Sequence, residues 1–328
     1  MSNELKHFDN LKESPETHDK IVKIINNSLK LKPDLFFIDE SKWKFLVRSV
    51  LRGKNILLIG PSGCGKTMAA KALQTALNRP AFYFNLGATQ DPRSTLIGNT
   101  HFKNEKGTLF AESLFVKAIK TKNAIILLDE LNRANPEAWN ILMTVLDYKQ
   151  RYLRIDEKED SETIDVAEGV SFIATSNIGT QYTATRVYDD ALLNRFSIIE
   201  ISALNSQDEF KLLKKLYPTV SESKLKALSD IASETREEIN SELPRISRII
   251  STRMTIEAAG LLYDGFSFED AVENTIVPFF SSDGGNDSER SFIKKIIQKY
   301  IDEIDINDKD NFSDNNNLFT EDDIRKAF

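Results

Sequence analysis

Gly60-Pro61-Ser62-Gly63-Cys64-Gly65-Lys66-Thr67 is the stretch on which the reading of this chain turns. It follows a short aliphatic run, Asn55–Ile59, and opens a segment of helical period, Lys66–Asn78. Its spacing is G-x-x-x-x-G-K-[ST], and that spacing has a physical meaning between a buried strand and a helix. Glycines let the backbone turn tightly, so that successive N–H groups face one anion. The helix that follows presents the positive end of its dipole to the same point. Lys66 is then placed to reach the β- and γ-oxygens of a nucleotide, and the Thr67 hydroxyl to hold Mg²⁺. Gly60, Pro61, Ser62, Gly63, Cys64, Gly65, Lys66, Thr67 and Met68 are the expected lining of this cradle. Cys64 reads as a small loop residue whose alkylation should obstruct the nucleotide.

Outward from the loop, strand and helix periods alternate. Strands are expected at Ala81–Asn85, Ala124–Asp129, Val170–Thr175 and Ser197–Ile201, and helices at Glu40–Leu51, Glu112–Lys120, Pro136–Lys149 and Asp189–Asn194. Continuously apolar strands between helices predict an α/β fold, a parallel sheet covered on both faces. An acidic excursion at 150–169 interrupts the pattern and reads as a hairpin with arms Arg151–Ile155 and Thr163–Val166. Beyond Ile201 the period stays helical. Ser206-Gln207-Asp208-Glu209 has the form of a capping box, and further helices fit Glu222–Asn240, Arg245–Tyr263 with a break, and Phe268–Phe280. The expected organisation is an N-terminal extension (1–38), a nucleotide-binding domain (39–201), a second, all-helical domain (202–282), and a C-terminal helix with an acidic tail (283–328). Ser281–Asp287 reads as a linker.

The strand Ala124-Ile125-Ile126-Leu127-Leu128 ends in Asp129-Glu130, roughly sixty residues after the loop. Asp129 suits a Mg²⁺ held through water, and Glu130 suits polarisation of the attacking water. The next strand ends Ala174-Thr175-Ser176-Asn177, where Asn177 can stand between the acids and the γ-phosphate and orient water. A GTPase reading finds no N-K-x-D base-reading motif, and a small-molecule kinase needs no large helical second domain.

Composition bounds the rest. Of 328 residues, 41% are apolar and 28% charged, with net charge −7. That apolar content excludes a wholly disordered chain. The acidic balance argues against coating duplex nucleic acid through bulk charge, though not against a local basic pore. One cysteine, Cys64, excludes an internal disulfide framework, and with three histidines a His/Cys metal site is poorly supplied. No segment approaches the ~20 apolar residues that span a bilayer, so no membrane insertion is expected. The N-terminus lacks an apolar signal core, and the expectation is a soluble, cytoplasmic protein.

Taken together, LLDELNRANPEAWNILMTVLD (127–147), FIATSN (172–177), DDALLNRFSIIEI (189–201) and ISTRM (250–254) resemble the AAA+ ATPases, in the MoxR-like, dynein-related branch with the CbbQ, NorQ, GvpN and CobS groups. The resemblance covers roughly residues 40–265. It implies a P-loop αβα sandwich with a five-stranded parallel sheet, a small all-helical lid, and ATP with Mg²⁺ as cofactors. It implies a homo-oligomeric ring, usually a hexamer, acting on a client protein, often through a partner with a von Willebrand A domain. Glu130, Asn177, Arg195 and Arg253 match the family's catalytic positions. Arg195 corresponds to the arginine finger that reaches the neighbouring subunit's γ-phosphate, and Arg253 to the lid's sensor arginine, with Arg245 and Arg248 close enough to compete for that assignment. Arg133 resembles an arginine at the subunit seam, and equally a salt-bridge residue at a helix start. Ile178 stands where the family commonly has proline. Gly98–Phe110 resembles the family's pore hairpin, with Phe102, Lys103 and Lys106 as client contacts or as an ordinary solvated loop. A nucleic-acid motor and a cobaltochelatase-like metal-insertion subunit are the alternative readings. Thr320–Phe328 is either a docking peptide or a tail without a role.

Overall fold

Five strands of the computed structural model form one parallel sheet: β1 (Ile56–Gly60), β2 (Ala81–Asn85), β5 (Ile125–Asp129), β8 (Ser171–Asn177) and β9 (Ser197–Glu200). Their order is β2-β5-β8-β1-β9, and every pairing is parallel. The structure describes residues 14–103, 107–158, 161–177 and 188–308. The chain divides after Leu204 into two compact units.

The central strands β1, β5 and β8 are buried on both faces, whereas the edge strands β2 and β9 are partly exposed. On one face Ile56, Leu58, Ile125, Leu127 and Ile173 pack against α2 (Glu40–Leu51) and α3 (Lys66–Leu77), chiefly Trp43, Leu46, Val50, Ala69 and Leu73. On the other face Leu57, Ile126, Leu128 and Phe172 meet α5 (Leu114–Lys120) and α6 (Pro136–Leu146), through Phe115, Ile119, Leu142 and Val145. Strands joined by helices on both faces can pair only in parallel, since a short hairpin cannot reverse them.

Polar details set the boundaries. Helix α6 stops at Leu146 rather than Lys149, because Asp147 turns extended and its carboxylate accepts from the Lys149 and Gln150 N–H groups. Helix α5 starts after Ser113, whose hydroxyl caps the Val116 N–H, so Glu112 belongs to the preceding strand. The acidic excursion is a hairpin, β6 (Tyr152–Ile155) and β7 (Glu162–Asp165), with Leu153, Ile155 and Ile164 buried in the main core. A second hairpin, β3 (Gly98–Lys103) and β4 (Gly107–Glu112), follows the short helix α4 (Pro92–Leu96). The side chains of Phe102 and Lys103 and the residue Lys106 lie outside the described parts, as do Ile178 and Thr320–Phe328. Upstream, α1 (Pro15–Asn27) is tied to α2 where the Trp43 indole donates to the Ser28 carbonyl at 2.8 Å.

The second unit is helical, and here the sequence expectations need correction. Following the short α7 (Asp190–Leu193) of the first unit, helix α8 (Ser206–Leu216) is capped by Asn205, whose side chain accepts from the Asp208 N–H at 2.8 Å, not by Ser206. Ser206 bonds to Asp230 instead, and Glu209 turns into the core. After α9 (Glu222–Glu238), residues 244–251 stay non-helical, and α10 (Thr252–Tyr263) begins well after Arg245. The Thr235 hydroxyl accepts from the Ile250 N–H, and Arg236 donates to the Ile250 carbonyl, so the segment is held extended across α9. Helix α11 (Phe268–Thr275) stops short of the expected Phe280, and Pro278 sits in a short 3₁₀ turn. The stretch read as a linker is a tight turn. Beyond it α12 (Glu289–Asp308) inserts Ile293, Ile296, Ile297 and Ile304 into the same core as α9 to α11.

Candidate active site

The carboxyl ends of β1, β5 and β8 lie side by side, which brings their last residues into one crevice. Gly60 is the register partner of Asn177, and Asn85 that of Asp129. In open α/β sheets this end of the strands is where ligands bind.

The loop after β1 has left-handed or otherwise glycine-favouring backbone at Gly60 (φ 154°), Gly63 (φ 76°) and Gly65 (φ 96°). A Cβ at Gly60 would collide with the Ile201 carbonyl, so that position demands glycine. Gly65 is the N-cap of α3 and supplies no side-chain cap; the space where its Cβ would stand is open. The crevice therefore has room for an anion at a helix N-terminus.

Lys66 is buried and turns back into the loop. Its Nζ donates to the Gly60 carbonyl at 2.9 Å, the Pro61 carbonyl at 2.6 Å and Asn177 Oδ1 at 2.8 Å. Burial pushes its ammonium below the usual lysine value, opposed by the Cys64 thiol and the Asp129 carboxylate. Cys64 is buried beside it, and burial pushes that thiol up. Met68 is exposed on the first turn of α3.

Asp129 faces α3. The Thr67 hydroxyl is 3.3 Å from each of its carboxylate oxygens, Thr175 Oγ1 donates to Oδ1, and the Tyr83 hydroxyl donates to Oδ2 at 3.0 Å. Glu130 has left-handed backbone (φ 55°), and its N–H donates to Thr175 Oγ1 at 3.0 Å. Its carboxylate packs over Gly87 and lies 3.6 Å from Arg133. Asn132 is buried behind it and donates to the Asn177 carbonyl at 3.3 Å. Thus Lys66, Thr67, Asp129, Glu130 and Asn177 converge. A carboxylate, a hydroxyl and ligand oxygens suit a Mg²⁺ that keeps several waters. Among the described residues no group of three His, Cys, Asp or Glu side chains forms a closed metal cage.

Arg195 lies away from this crevice, and Arg253 belongs to the second unit. Arg195 sits at the amino ends of β1 and β9, where its carbonyl accepts from Asn55, opposite the phosphate loop. Its guanidinium donates to the Met143 carbonyl at 2.9 Å, the Ala191 carbonyl at 2.5 Å and Asp147 at 3.2 Å. Arg253 is exposed in the first turn of α10, in the second unit. Of its neighbours, Arg245 pairs with Glu238 and stacks on Phe292, while Arg248 lies over Phe279. Tyr83, Thr175 and Gly87 join the site without having been assigned roles from sequence. Thr175 stood inside the quoted FIATSN, two residues before Asn177, and that period-2 relation was a usable signal. Tyr83 and Gly87 gave none.

A phosphate loop, an acidic strand end and a polar strand end on a 2-5-8-1-9 sheet define a P-loop nucleotide-binding protein of the AAA type. The AAA domain of the dynein-related subfamily matches residues 55–196, and the CbbQ/NirQ/NorQ C-terminal domain matches residues 209–299. The chain belongs to the MoxR-like branch of the AAA+ ATPases. The second match reaches into α12, beyond the limit of 265 set by motifs alone. An uncharacterized protein of Staphylococcus saprophyticus is 33% identical over 219 residues, covering 63% of this chain and 81% of the relative. One from Staphylococcus epidermidis is 37% identical over 155 residues, 46% of this chain and 57% of its own length. "Putative chaperone BssE" of Thauera aromatica is 29% identical over 220 residues, covering 66% and 72%. AAA domains in general bind nucleotide with Mg²⁺ and hydrolyse ATP, and this branch typically forms rings. No described helix is long and apolar enough to cross a membrane.

Proposed function

We propose that this chain is the subunit of a Mg²⁺-dependent ATPase ring, a hexamer by family habit, that couples ATP hydrolysis to remodelling or activating a client protein. The observation that carries the proposal is the convergence of Lys66, Thr67, Asp129, Glu130 and Asn177 at three neighbouring strand ends. In the nucleotide-bound state Lys66 exchanges the loop carbonyls for phosphate oxygens. That exchange keeps a full set of acceptors on a buried cation. Thr67 and Asp129 would hold Mg²⁺, which when bound would neutralise phosphate charge. Glu130 accepts the proton of the attacking water, and Asn177 orients that water. Arg195 lies at the far end of its own sheet and so serves the site of an adjoining subunit, where a guanidinium supplied in trans is worth ~10³–10⁵ in other NTPases. Arg253 is assigned to nucleotide sensing from the lid.

The client reading draws on the family and on the relative named as a chaperone. A von Willebrand A partner belongs to the same proposal. Net charge −7 gives no support to a nucleic-acid motor, and hydrolysis stimulated by DNA would revive that alternative.

Glu130→Gln keeps the shape and removes the base. Nucleotide binding is expected to persist while phosphate release falls at least ~10²-fold. Wild-type release by the purified variant would overturn the mechanism.

A further inference from the structure

Asp129 is held from both ends. Thr175 Oγ1 donates to Oδ1 and the Tyr83 hydroxyl to Oδ2, while Thr67 Oγ1 stands 3.3 Å from both oxygens. Equal distances put Thr67 in front of the carboxylate's edge. The two flanking hydroxyls therefore set the rotation of the carboxylate about its Cβ–Cγ bond and aim that edge at Thr67.

Tyr83 reaches this position for a topological reason. Asn85 pairs with Asp129 across β2 and β5, so Tyr83, two residues earlier, lies on the same sheet face at the diagonal position. Aromatic side chains span that diagonal. Among the described residues of the first unit the strip of sheet beside α3 is not closed over here. A cavity of about 270 Å³ opens there, with Thr67, Lys71, Gln74, Tyr83 and Leu127 among its walls. Tyr83 is 52% exposed, yet its hydroxyl is committed to Asp129 rather than left to water.

We infer that Tyr83 is a positioning residue for the Mg²⁺-holding carboxylate, setting how tightly the metal–nucleotide complex is held while leaving the metal-free nucleotide untouched. The inference rests on the proposed role of Asp129. Groups that orient a metal-holding residue commonly matter 10–100-fold in metal affinity. Tyr83→Phe deletes one oxygen from a half-exposed side chain and leaves the packing of the ring intact.

The test is a Mg²⁺ titration of fluorescent ADP-analogue binding to the full chain, repeated in EDTA. Three proteins are compared: wild type, Tyr83→Phe and Asp129→Asn. Tyr83→Phe is expected to raise the Mg²⁺ concentration at half-saturation about tenfold, with binding in EDTA and the melting temperature unchanged. An unmoved Mg²⁺ midpoint in Tyr83→Phe, beside a raised one in Asp129→Asn, would overturn the role of Tyr83 and leave the site's reading standing. An unmoved midpoint in both would overturn the reading of Asp129 itself. Equal losses with and without Mg²⁺ would show that the hydroxyl supports the loop and not the metal site.

Discussion

Glu130 is a non-glycine residue in left-handed backbone (φ 55°), and it directly follows the last residue of a buried strand. Such a conformation costs on the order of 1–3 kcal/mol and persists when surrounding contacts over-determine it. Here the contacts are the hydrogen bond from its N–H to Thr175 and the packing of its carboxylate on Gly87. A Cβ at Gly87 would overlap both the carboxylate and the Cβ of Glu130. Gly87→Ala is therefore expected to bind nucleotide normally but to hydrolyse it more slowly. A base displaced by about an ångström can cost on the order of 10²-fold in rate. Steady-state kinetics checks this, with kcat falling and KM steady. Lys66, Asp129 and Asn177 were legible because each ends or follows an apolar strand in a recognisable string. Tyr83 and Gly87 were not, because alternation tells which face a residue occupies and not how far its atoms reach.

The periodic core of each helix and strand followed from hydrophobic pattern, whereas the ends were decided by single polar groups. Asn205 took the cap that Ser206-Gln207-Asp208-Glu209 offered, and this freed Glu209 for the core. There Glu209 is fully buried, 2.5 Å from Arg236 Nη1 and 2.5 Å from the Thr255 hydroxyl, so it ties α8 to α9 and α10. A buried ion pair adds little over an apolar replacement of both partners, but loss of one partner strands a charge. Arg236→Met should destabilise the second unit by about 3 kcal/mol. Urea unfolding followed by circular dichroism measures this, and a loss well under 1 kcal/mol would show that the pair is dispensable. A local string could not reveal the pair, because its members come from different helices.

In the whole molecule the nucleotide crevice and Arg195 occupy opposite ends of one sheet, and the proposal of a site shared between copies draws on that separation. Arg195→Ala subunits keep Glu130, and Glu130→Gln subunits keep Arg195. Mixing the two inactive proteins is expected to restore part of the phosphate release, with a maximum at an intermediate ratio. Release that stays flat at every ratio would count against sharing. The held state of Arg195, bonded to Met143, Ala191 and Asp147, also means that contact with a neighbour requires it to exchange partners.

Residue order alone specified the phosphate loop, the parallel sheet and the helical second half, because these depend on periodicity and on glycines that permit one backbone path. It could not specify that α12 completes the second core, that Asn205 displaces Ser206 as a cap, or that Tyr83 and Thr175 grip Asp129 from either side. Those outcomes depend on distances between segments far apart in the chain. Such distances are set when burying apolar faces forces particular polar groups to find partners or remain unsatisfied.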